Sequence, residues 1–165
     1  MIKDENFKKE LNEFLGRASL STYAGSGAET DSGIGFHELE FREGDWHYRD
    51  SYTGFFQSWG REVVWYKEKI VWNSLYGGGM VSEYHGNRQF AHDTFSFLKK
   101  VLSAGEKVET FQPRGPNHFK EGDWEYNCDW KGDIESFNGD EKISYQGKVV
   151  FTHHFFGGFV VEGNP

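Results

Sequence analysis

One cysteine, three prolines and no stretch of concentrated positive charge set the first limits on this 165-residue chain. Cys128 has no partner cysteine, which excludes an intrachain disulfide, and "MIKDENFKKE" holds no apolar run of the kind found in signal peptides or membrane spans. The cytoplasm is therefore the expected location, with no membrane contact. A net charge of −8 without a Lys/Arg-rich block repels phosphates and anionic lipid, which argues against direct nucleic-acid binding. Zinc spacing of the HExxH or paired Cys/His type is missing, so no metal and no cofactor are expected. "YAGSGAE" lacks the GK[ST] of a phosphate loop. What the chain has in excess is aromatic side chain, 18% Phe, Trp and Tyr, suited to a dense core or to the flat walls of a ligand cleft.

The aromatics fall in a repeat. "FREGDWHY" (41–48) returns as "FKEGDWEY" (119–126), identical at six of eight positions, at an offset of 78. Gly54, Phe56 and Trp59 then match Gly132, Ile134 and Phe137. After one extra residue near Gly139 the offset becomes 79, pairing Glu62 with Glu141, Tyr66 with Tyr145, Trp72 with Phe151 and Gly78-Gly79 with Gly157-Gly158. We read one domain over 1–165 with internal repeats at about 4–86 and 87–163, since open solenoids need three or more units.

Each copy opens with a helical stripe. Phe7, Leu11, Phe14 and Leu15 follow Asp4 as N-cap and precede Gly16 as a stop, while Ala91, Phe95, Leu98 and Leu102 precede Gly105. Period-two alternation predicts strands over 37–42, 45–53, 56–66 and 69–76, and again over 117–121, 124–131, 134–145 and 148–156. The expected class is α+β: two pseudo-repeats, each an amphipathic helix plus an antiparallel four-stranded meander, forming a curved sheet or partly open barrel. A two-sheet sandwich is the alternative. The glycine-rich stretch 22–35 is long enough to cover a site, with Tyr23 at its start.

These residues resemble an uncharacterised bacterial domain family. The likeness runs over about Phe14 to Phe159 and is carried by "TYAG" (22–25), "EGDWHYRDSYTG", "GREVVWYKEKIVW…YGG" and the second "EGDWEY…GD…F". In some relatives such a domain follows a Cro-type helix-turn-helix, which implies a regulatory, sensing role; no such segment is read here. The resemblance supplies no catalytic residues.

Alternation along the strands gathers candidates onto one face. Trp46, Tyr48, Asp50 and Tyr52 correspond to Trp124, Tyr126, Cys128 and Trp130. Glu62 and Glu141 share faces with Val64, Tyr66, Ile143 and Tyr145. Ile70, Trp72, Ser74 and Tyr76 correspond to Val149, Phe151, His153 and Phe155. A carboxylate among aromatics is desolvated, which makes it an acid/base group or an anchor for a cationic ligand. The plain alternative puts each Glu at a strand end beside turns at Gly60 and Gly139, paired with Arg61, Lys142 or solvent, and Asp50 in a salt bridge with Arg49 or Arg88. His153 and His154 point to opposite faces, and Cys128 reads as a small buried apolar group.

The expected function is a small-molecule-binding or sensor-like module with an aromatic, acid-lined cleft at the repeat interface, formed by Tyr23, Trp46, Tyr48, Asp50, Glu62, Trp72, Trp124, Tyr126, Glu141 and His153. An enzyme using Asp50 or the Glu62/Glu141 pair in general acid/base catalysis is one alternative. A protein-interaction module, dimerising through exposed aromatics, is the other.

Overall fold

The computed structural model describes residues 4–22, 29–31, 33–104 and 110–162. Tyr23, half of the glycine-rich stretch and Gly105 lie outside the described residues.

Helix α1 (Glu5–Ser21) starts where expected, with Asp4 Oδ1 accepting the Asn6 amide at 2.8 Å. Phe7, Leu11, Phe14 and Ala18 are its buried stripe. Gly16 does not end it. A mid-helix glycine costs only about 1 kcal/mol against alanine, and the buried stripe on either side outweighs that. The chain leaves the helix at Thr22, whose hydroxyl donates to Ala18 O at 2.7 Å. Helix α2 (Arg88–Ala104) is capped by Asn87, whose Oδ1 accepts the Phe90 amide at 3.1 Å. Its expected stripe divides: Ala91 and Leu98 are buried, while Phe95 and Leu102 are half-buried and line a cavity.

The strands are β1 (Thr30–Asp31), β2 (His37–Glu43), β3 (Trp46–Gly54), β4 (Gln57–Tyr66), β5 (Lys69–Met80), β6 (His118–Glu121), β7 (Trp124–Asp133), β8 (Ser136–Tyr145) and β9 (Lys148–Phe159). All nine belong to one open antiparallel sheet in the order β1-β2-β3-β4-β5-β9-β8-β7-β6, not to a two-sheet sandwich. Its edge strands hold two and four residues, short enough to offer little template to another chain. The junction is β5–β9, where Trp72 to Met80 pair with Phe159 to Phe151.

Two β-bulges correct the face reading. The ladder slips between Val64 and Trp65 and again between Ile143 and Ser144, leaving Val71 and Val150 as extra residues. Ile70 and Val149 are thereby turned outward and exposed, while Val71, Trp72, Val150 and Phe151 are all buried.

Aromatic clusters tie each helix to the sheet. Trp46 packs on Phe7 and Phe14, both with ring centroids 5.3 Å away, and on Tyr66 at 4.5 Å. Trp124 makes the same kind of cluster with Phe90, Phe97 and Tyr145 at 5.6, 5.5 and 4.6 Å. Trp72 crosses the junction, its indole N–H donating to Ile134 O at 3.1 Å and its ring stacking on Phe137.

At the β4–β5 end the backbone closes tightly around Gly79. Its φ of +145° suits glycine, and a Cβ there would stand 2.2 Å from Phe56 O, which already accepts the Met80 amide at 2.7 Å. Gly158 has the same relation to Glu135 O, with a Cβ distance of 2.1 Å. Gly79→Ala should therefore lower unfolding free energy by about 3 kcal/mol, seen as a lower urea midpoint at unchanged m-value. A loss below about 0.5 kcal/mol would mean that the turn relaxes freely.

Candidate functional site

The two helices leave the middle of the sheet uncovered, and a cavity of about 420 Å³ lies there. Strands β3, β4, β5 and β9 supply its floor, including Tyr48, Asp50, Glu62, Trp72, Tyr76 and His153. Asn12, Leu15, Gly16 and Ser19 of α1 and His92, Phe95 and Leu98 of α2 form its flanks. Residues 110–114 close one side, and Glu29, His37 and Tyr52 stand at the rim, where His37 Nδ1 lies 2.8 Å from Glu29 and the Tyr52 hydroxyl bonds the same carboxylate.

Asp50 and Glu62 face each other across β3 and β4. Gly60 makes their surroundings possible. It lies inside β4 rather than in a turn, opposite Tyr76 on β5, and a Cβ there would be 2.2 Å from Tyr76 Cζ. The phenol ring therefore lies across the glycine and reaches Asp50, donating to Oδ1 at 2.8 Å. Tyr48 donates to Glu62 Oε1 at 2.7 Å. Neither expected arginine pairs with Asp50: Arg49 Nε bonds Glu40 at 2.7 Å, and Arg88 sits over the Phe55 ring. Asp50 is 5% exposed. Burial, with the Glu62 charge adding to it, pushes its pKa to about 7, against the pull of the Tyr76 hydrogen bond and of Arg114.

The second carboxylate centre is built differently. Glu141 is 1% exposed and accepts four donors: Arg114 Nε and Nη2 at 3.0 and 2.8 Å, the Tyr126 hydroxyl at 2.7 Å and His153 Nδ1 at 3.1 Å. Burial alone would raise its pKa, but Arg114 and His153 outweigh that and hold it at about 2. His153 itself is kept below its ordinary value, because burial disfavours the imidazolium more than Glu141 favours it. Facing a carboxylate, Nδ1 carries the ring proton, leaving Nε2 as an acceptor without a partner. Cys128 lies opposite Glu141 across β7 and β8, as Asp50 lies opposite Glu62 across β3 and β4. Burial and then the Glu141 charge push its thiol up to about 11, so it remains a protonated, inert group at neutral pH.

Of the residues singled out from sequence, Tyr48, Asp50, Glu62, Trp72 and His153 line the cavity. Tyr126 and Glu141 lie behind it and connect through Arg114 and His153, which do line it. Trp46 and Trp124 are off the cavity, in the clusters beneath the helices. His154 points away from His153 and pairs with Asp140 at the surface. Sequence reading missed Arg114, hidden in the proline loop "QPRGPNH", and the reach of Tyr76. Its one available signal was a lone arginine in a chain with an unmatched excess of acids. Among the described residues no cluster of three or more His, Cys, Asp or Glu is arranged to hold a metal ion, and no helix is long and apolar enough to cross a membrane.

Residues 50–160 match the model of a protein family described as a domain of unknown function, DUF5680. That span begins at Asp50 and takes in both carboxylate centres and Arg114. No curated protein and no solved structure matches the chain.

Two stability measurements follow from these charges. The Asp50 pKa is raised on folding, so its stabilising contribution is complete below its unfolded value of 3.8 and is lost as pH rises through about 7. Asp50→Asn, which keeps an acceptor for Tyr76, should be more stable than the parent above pH 7, by up to about 4 kcal/mol. Near pH 4 the difference should vanish; a variant destabilised at pH 8 would show that the charge is stabilised rather than strained. Arg114→Leu strands Glu141 in the interior and should cost about 3–5 kcal/mol at pH 7, most of it recovered in Arg114→Leu/Glu141→Gln. Simple additivity of the two substitutions would contradict the pairing.

Proposed function

We propose that this chain, which belongs to the DUF5680 family, is a small-molecule-binding module of the sensor kind whose ligand occupies the aromatic, acid-lined cavity between the helices. The observation that carries this reading is the buried Asp50 carboxyl, held beside Glu62 in a cavity of about 420 Å³ with no cation bonded to either among the described residues. Burying such a pair strains the free protein, and a ligand that satisfies it offsets the strain. Asp50, Glu62, Tyr48, Trp72, Tyr76 and His153 would touch the ligand, with Arg114, Tyr126 and Glu141 positioning them.

The reading takes the chain as one domain of two pseudo-repeats, 4–86 and 87–163, each a helix with a four-stranded meander on a curved sheet. The mirrored strand order about β5–β9 supports it, as do the two Tyr-to-Glu bonds of 2.7 Å and the paired bulges. A cytoplasmic sensor acting through protein rather than nucleic acid fits the net charge of −8.

A second reading has an observation of its own. A carboxyl with a pKa of about 7 in a cavity suits general acid/base catalysis. A sensor returns its ligand unchanged, whereas an enzyme converts it and loses turnover in Asp50→Asn. The interaction reading draws on Trp59 and Phe156, 62% and 57% exposed on the sheet face turned away from the helices. Sedimentation as a monomer at high concentration removes its homodimer form.

Gly16 provides the test. It sits at the centre of the α1 face that lines the cavity, and a Cβ there meets nothing within 4 Å. Gly16→Leu should keep or raise stability, since leucine favours a helix by about 1 kcal/mol over glycine. It should also abolish ligand shifts. In the parent, library compounds should raise Tm with concentration, by about 2.7 kcal/mol of stabilisation at a hundred times Kd. A library that shifts nothing, or shifts that survive Gly16→Leu, would contradict the site.

A further inference from the structure

Several of the donors around the acid pair are already committed to acceptors of the protein itself. Tyr48 and Tyr76 each donate their single hydroxyl proton to a carboxylate, as does Tyr52 to Glu29 at the rim. The indole N–H of Trp72 is held by Ile134 O, and Arg114 directs Nε and Nη2 at Glu141. Acceptors remain over. Asp50 and Glu62 each receive one tyrosine proton, at Oδ1 and Oε1, so a second oxygen on each is left for another donor. An apolar filler would leave these acceptors unsatisfied, and an anion would meet Asp50 and Glu62 with the nearby guanidinium already engaged.

We propose that the cavity selects a hydrogen-bond-donating monocation of the amidinium or guanidinium kind, held by the facing carboxyl groups of Asp50 and Glu62. A flat cation with several N–H groups lies against the aromatic floor of Trp72 and Tyr76 while donating to Asp50 and Glu62. Its positive charge removes the reason for Asp50 to hold a proton, which leaves to solvent, so charge in the cavity is conserved. The charged or titratable groups bearing on Asp50 fit this exchange. Glu62 from β4 and Glu29 from the rim favour protonation, while Arg114 from the proline loop and the Tyr76 hydroxyl from β5 oppose it. Tyr48 stays protonated, and His37, His92 and His153 line the cavity from β2, α2 and β9. No charged side chain of α1 lines it.

The inference rests on the ligand-site reading, and its test separates the two. Benzamidinium, charged throughout the range used, is titrated calorimetrically into the parent and Asp50→Asn, with benzamide and benzoate as neutral and anionic isosteres. Benzamidinium affinity should rise roughly tenfold per pH unit up to about pH 7 and then level off, with proton release shown by the dependence of heat on buffer. Asp50→Asn should bind roughly tenfold more weakly at pH 8 and without that slope. Benzoate or benzamide binding more tightly than benzamidinium, or a pH-independent benzamidinium affinity, overturns the proposal. A protein stabilised by neutral or anionic library compounds but not by benzamidinium overturns it and leaves the ligand site standing; one stabilised by nothing overturns both.

Discussion

One guanidinium lies among three carboxylates at the centre of this molecule, and it is committed to one of them. Arg114 bonds Glu141 through two nitrogens while Asp50 and Glu62 share the adjoining cavity with only tyrosine hydroxyls as bonded partners among the described residues. The pKa values of Glu141, about 2, and Asp50, about 7, lie on opposite sides of the ordinary carboxylate range for that reason. Both groups are nearly fully buried, so burial alone would raise both. The partner decides the sign. A fold with a second cation at Asp50 would have both carboxylate centres neutralised and no unmet charge facing the cavity.

The two carboxylate centres sit on strand pairs with like register and unlike side chains. Glu62 lies between Asp50 and Ser74, Glu141 between Cys128 and His153, Gly60 is opposite Tyr76 and Gly139 opposite Phe155, while the Tyr48–Glu62 and Tyr126–Glu141 bonds are alike. Glycine sets the reach of the aromatic at both centres. Gly60 lets Tyr76 lie across its neighbouring strand, and Gly139 admits Phe155, whose ring atom Cζ would be 2.7 Å from a Cβ there. Only Tyr76 carries a hydroxyl to place. Glu141 is buried in an ion pair with Arg114, and Asp50 and Glu62 face the cavity.

The helices and the hairpin ladder were legible because they rest on local rules. The i, i+4 stripes, Asp4 and the "EGD" turns marked elements whose ends fall within a few residues of those found, apart from β5, which runs on through its glycines to Met80. Asp50, Glu62 and His153 stood out by alternation alone, since two residues apart on a strand means the same face. The bulges at Val71 and Val150 were not legible. Two adjacent valines satisfy either face, and only the cross-strand register shows which one is extra. Gly16 looked like a helix stop because a glycine's local cost is visible in sequence and the packing that overcomes it is not. Arg114 was hidden for a related reason: a loop residue finds a buried carboxylate through the path of the whole chain, which no periodicity encodes.

The most direct measurement is the titration of the Asp50 side-chain carboxyl by carbon NMR in the ligand-free protein, assigned with Asp50→Asn. The account predicts a midpoint near pH 7, with Glu141 still ionised at the lowest pH the fold tolerates. A midpoint for Asp50 at or below its ordinary value of 3.8 would mean that its charge is already satisfied within the protein, and the cavity would have no unmet demand for a ligand.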